Sequence, residues 1–70
     1  MDTNTAIKAQ DWITANWDNE KTDYQNTEDL LKMLSARECQ TRNKRSMSEA
    51  RLLNALYLQV QTMREVALTR

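Results

Sequence analysis

Leu53, Leu56, Val60, Met63 and Ala67 recur at steps of three, four, three and four. That rhythm lines five apolar side chains along one stripe of an α-helix. Leu52, Ala55 and Val66 widen the stripe on one flank, and Tyr57 and Leu68 widen it on the other. A stripe this broad packs on two neighbours rather than one. The last third of the chain therefore demands helical partners, and the rest of the sequence has to supply them.

It is equipped to do so. The 70 residues include no Gly and no Pro, so tight turns that require positive φ have no preferred residue and hairpin-rich β architecture is disfavoured. Leu, Ala, Met, Gln, Glu, Lys and Arg are plentiful, and all favour helix. The expected fold is all-α: a small three-helix bundle in one domain, residues 1–70, with helices near 5–19, 27–42 and 46–69. The second and third helices form an antiparallel hairpin and the first lies across them. A core this small, with no disulfide or metal, gains burial from a copy of itself or from a partner, and a homodimer is expected.

Along the chain, Thr3 or Thr5 is placed to cap the first helix. Ala6, Ala9, Ile13 and Trp17 then share a face, with Trp12 beside them. Two tryptophans five apart cannot both point straight inward, so one belongs at the edge of the core. DNEKTDYQN, residues 18–26, has no apolar periodicity and several Asn and Asp, which reads as a connector with Tyr24 its one sticky residue. Asn26 or Thr27 would cap the second helix, with Glu28 and Asp29 in its first turn where the helix dipole favours negative charge. Leu30, Leu31, Met33 and Leu34 form a dense knot, and Arg37 and Thr41 continue its face. QTRNKRS, residues 40–46, is strongly polar, and Ser46-x-x-Glu49 has the form of a capping box. The chain is therefore expected to break there, although nothing between 27 and 70 forbids one long helix.

Catalytic chemistry finds few footholds. With no His, one Cys and no metal-binding motif, metal ions are not expected. Phosphate cradles of the glycine-rich kinds need glycines. Cys39 lacks a histidine base and reads as a half-buried filler. No cofactor is expected, and no enzyme. A lone Cys, no apolar run near 18 residues and no hydrophobic leader imply a soluble cytoplasmic protein with no membrane role. Size and composition are those of small accessory proteins that phages and plasmids encode, which by itself carries no mechanism.

Two surfaces remain. Leu53, Leu56, Val60 and Met63 are expected to seam the homodimer. Leu58, the one large apolar side chain that the helical wheel places in water, and the edge tryptophan, Trp17, offer anchors to another protein, since Trp is enriched at interaction hot spots. The expected function is thus a non-catalytic protein–protein interaction module: an adaptor, accessory or inhibitor that self-associates. The alternative is nucleic-acid or phosphate binding through Arg42, Lys44, Arg45 and Arg51, gathered about the start of the third helix. Overall charge does not favour it, since ten acids and ten bases cancel. The distribution is uneven: residues 1–26 carry a balance of −3 and residues 27–70 a balance of +3. The plain expectation is that the two segments lie together and screen each other. The other possibility is a polarised surface that orients a partner.

Overall fold

One helix is shared by the other two. The computed structural model describes residues 2–69 and forms them into α1 (Thr3–Ala15), α2 (Asp23–Thr41) and α3 (Met47–Thr69), with no strand among the described residues. Both α1 and α2 pack on α3, and they meet each other far less. The broad stripe on α3 explains this: Leu53 and Val60 belong to one side of it and Ala55 to the other. Its 23 residues run about 34 Å at the usual helical rise, which accounts for the long dimension of 36 Å in a molecule of 36 × 25 × 20 Å.

The core draws Ala9 and Ile13 from α1, Leu30 and Leu34 from α2, and Leu53, Ala55, Leu56 and Val60 from α3. Trp12, Trp17, Leu31, Leu52, Tyr57 and Met63 pack around it half-buried. Burying each Leu, Ile or Val contributes about 2 kcal/mol, so the six large members dominate what holds the helices together. Both tryptophans stand at the margin rather than one inside and one at the edge.

The helix ends differ from the sequence expectation in instructive ways. α1 is capped by Asp2, whose carboxylate accepts the Thr5 amide at 2.7 Å, and not by Thr3 or Thr5. It stops at Ala15, not 19, because Asn16 turns its own side chain back to donate to the Trp12 carbonyl at 2.8 Å. Asparagine suits such helix-ending positions. Trp17 therefore lies on the link and not on the helix.

α2 begins at Asp23, four residues before the expected start. Thr22 caps it, its hydroxyl accepting the Gln25 amide at 3.1 Å. Asn26 and Thr27 are consequently inside the helix, and both are buried. Their polarity is matched: Thr27 donates to the Tyr24 carbonyl at 2.7 Å, while Asn26 reaches back to the link. The Asn26 amide donates to the carbonyls of Asp18 (2.8 Å) and Thr22 (3.2 Å), and its oxygen accepts the Asp18 amide at 2.9 Å. Buried polar groups are tolerated when so satisfied, and no buried side-chain polar atom among the described residues lacks a partner.

The break between α2 and α3 falls where expected, over residues 42–46. Ser46 accepts the Glu49 amide at 3.1 Å, but only half the capping box forms. The Glu49 carboxylate turns instead to Arg37, which donates from Nε (2.7 Å) and Nη2 (2.8 Å). Arg45 folds back to donate to the Glu38 carbonyl at 2.7 Å, occupying an acceptor that the helix end leaves open. No described residue has positive φ, so both links are made without the conformation that glycine would have eased.

Candidate interaction surface

Trp17, Asp23, Thr62, Met63, Val66 and Ala67 line an open cleft of about 250 Å³ between the first link, the start of α2 and the last turns of α3. Local chemistry sets each wall. Asn16 ends α1 and hands Trp17 to the link; the Asn26 clamp on Asp18 holds that link in place. Met63 and Ala67 close the α3 stripe at the end of the bundle and keep partial exposure. Val66 is exposed beside them. A second hollow of about 260 Å³ adjoins, sharing Trp17 and Met63 and adding Asn19, Ile13 and the polar α1 residues Gln10 and Thr14. The result is a mainly apolar cleft with Asp23 in its wall and Asp18 and Glu20 on the link beside it.

Nearby charges are paired. Arg64 donates to the Tyr24 hydroxyl at 2.9 Å, meets Glu28 at 2.6 Å and lies over the Tyr24 ring at 5.2 Å. Its guanidinium is raised above the usual arginine value, first by the Tyr24 hydrogen bond and then by Glu28. Lys21 meets Asp29 at 2.7 Å, a contact that raises the lysine and, together with a hydrogen bond from Gln25, lowers the aspartate. Tyr24 is thus tied to α3 by Arg64 and is not a loose residue of a connector.

The expected seam is spoken for. Leu53, Leu56 and Val60 are buried within a single chain, under α1 and α2. Only Met63 of that set retains exposed surface. The expectation failed to separate core from seam because the α3 stripe looks the same for either use. Leu58 is 57% exposed, as the wheel requires, but it lies in a different groove, about 460 Å³, with Asp2, Thr5, Arg51, Asn54 and Ala55. It does not join Trp17 in one patch.

The basic cluster is also divided. Arg42 and Lys44 are exposed on the second link. Arg45 is engaged in closing α2. Arg51 faces the start of α1, lining a groove with Asp2, Lys8 and Ser48. Cys39 is exposed, not a half-buried filler. Among the described residues no group of His, Cys, Asp or Glu has the arrangement of a metal site, and no helix is long and apolar enough to cross a membrane.

The acidic and basic segments meet in places, Asp2 beside Arg51 and Lys21 on Asp29, but the charges of the two links lie apart. The first link, with Asp18 and Glu20, leads into the start of α2, and the second link, with Arg42 and Lys44, leaves its end. Nineteen helical residues separate them, about 28 Å, several times the screening length of about 8 Å at physiological salt. The molecule is neutral in sum and polarised along its length. What the sequence left hidden was Asp23, whose place in the cleft depends on a helix start that periodicity does not mark. No protein-family model, no curated protein and no solved structure matches the chain.

Proposed function

We propose that the chain is a non-catalytic helical interaction module that works by contact with protein, a copy of itself included. The observation that carries this reading is the Trp17 cleft. A tryptophan is held on a clamped link, half-exposed, beside Met63, Val66 and Ala67, where a partner's apolar side chain would cover all four. Aromatic anchors in such settings dominate binding energy. The scaffold beneath is an α2–α3 antiparallel hairpin, supported by Arg37 meeting Glu49 at one end and Arg64 meeting Glu28 at the other. An exposed free thiol at Cys39 fits a reducing, cytoplasmic setting. The test is sedimentation over a concentration series, paired with titration of a mixed-sequence duplex at moderate salt. Mass that grows with concentration and no duplex binding support the reading. A chain that binds duplex and never associates with protein overturns it.

A second reading, phosphate or nucleic-acid contact, draws on Arg42 and Lys44, which stand exposed and a helix length from the acidic link. It requires binding that weakens steeply with salt. Arg42→Gln with Lys44→Gln should abolish that binding; Arg45 is left intact because it closes α2.

A further inference from the structure

The two ends of the molecule are complementary. At one end is the apolar Trp17 cleft, with Asp23 in its wall and Asp18 and Glu20 on the adjoining link. At the other is Met47, the most exposed large apolar residue described, at 71%, just after the exposed Arg42 and Lys44 of the second link. An unbranched, adaptable thioether is well suited to entering an irregular apolar cleft. From the exposed Met47 tip with its basic surround and the Trp17–Met63–Val66 cleft with its acidic surround, we infer that chains associate head to tail, the Met47 end of α3 of one copy seated in the cleft of the next.

The occupant has to be a second copy. Met47 opens α3 and Val66 lies nineteen residues on, about 28 Å along one rigid helix, so no chain can fill its own cleft. Charge favours the arrangement, because like ends repel and unlike ends attract. Zero net charge removes the general repulsion that keeps many proteins apart. The contact joins two different patches, so it is heterologous: it leaves a free tip and a free cleft, and builds a ring or an open chain of molecules. A helix tip in a small cleft buries less than a standard interface, so association is weak and sensitive to salt.

This inference rests on the reading of the chain as a contact module, and a complementation experiment separates the two. Met47→Glu spoils the tip and leaves the cleft; Val66→Lys spoils the cleft and leaves the tip. Both positions are exposed, and circular dichroism would verify the fold. By sedimentation from micromolar to millimolar concentration, the parent chain should associate and lose association in high salt. Each variant alone should stay monomeric, and an equimolar mixture should associate again. Variants that associate as the parent does would place self-association elsewhere, overturning this contact while sparing the module. A mixture that stays monomeric would overturn it too, as would a parent that is monomeric throughout; the module reading would then rest on another protein. As an independent check, Glu20→Lys alone and Arg42→Glu with Lys44→Glu alone should each weaken association, and mixing the two should restore it. Association unmoved by either charge reversal counts against the head-to-tail contact.

Discussion

The buried side chain of Asn26 holds the backbone of Asp18 by two hydrogen bonds, donating to its carbonyl at 2.8 Å and accepting its amide at 2.9 Å. One amide group thereby fixes the link that carries Trp17, eight residues away in sequence and across the start of a helix. Asn26 is only 2% exposed, so its own amide depends on these bonds, whereas Asp18 and Thr22 stand exposed at the surface.

Asn26→Leu should cost about 1–3 kcal/mol, the range for leaving polar groups unmatched. Asn26→Asp should cost at least as much, because a carboxylate would face the carbonyls of Asp18 and Thr22. Urea unfolding measures both. Tryptophan fluorescence in a Trp12→Phe background isolates Trp17 and reports whether the link has loosened as well.

Arg37 and Glu49 form a two-point contact between α2 and α3, with side chains 30% and 20% exposed. Alanine at either position should cost about 1 kcal/mol, and a double-mutant cycle should return a coupling of similar size. Glu49→Gln keeps the amide that Ser46 caps, so it isolates the charge from the cap.

The same carboxylate sets part of the pH dependence. The Arg37 hydrogen bonds hold Glu49 below its ordinary 4.5. Asp29 is lowered by its hydrogen bonds from Lys21 and Gln25, and Asp2 by the Thr5 amide. Groups lowered in the folded chain contribute stability above their unfolded values, and that stability is lost as pH falls through their folded values. Thermal stability should be flat from neutrality to about pH 5 and fall below it, and Glu49→Gln should make the fall shallower.

Val60 and Leu58 should behave oppositely. Val60→Asp buries a charge in the middle of the core and should unfold the single chain. Leu58→Asp should change stability by less than about 0.5 kcal/mol. Circular dichroism and sedimentation distinguish the two. A folded Val60→Asp chain would contradict the packing of α3.

Cys39 should react with a thiol reagent in native buffer as fast as in denaturant, because it is exposed. Cys39→Ser should leave the unfolding midpoint unchanged within error.

Much of this architecture was legible in the residues. The α3 stripe announced a helix with two neighbours, and Ser46 marked where it begins. The polar run 40–46 located the second link. Residues 18–26 were not legible, because apolar periodicity is silent where polar groups are buried and matched. Thr22, Asn26 and Thr27 build the start of α2 through side-chain hydrogen bonds, and sequence patterns register them only as hydrophilic. The candidate surface was legible in part. Trp17 stood out by residue type, whereas Asp23 and Val66 joined it in the cleft only through the fold. The Leu53–Leu56–Val60 face could not be assigned to core or seam until α1 and α2 were seen lying on it.

That shared helix has a thermodynamic consequence. α1 and α2 have little to hold them together once α3 is lost, so no two-helix remnant has a core of its own. Amide protection should vanish across all three segments at one common free energy, and a protease that nicks the middle of α3 should degrade the whole chain instead of leaving a trimmed fragment.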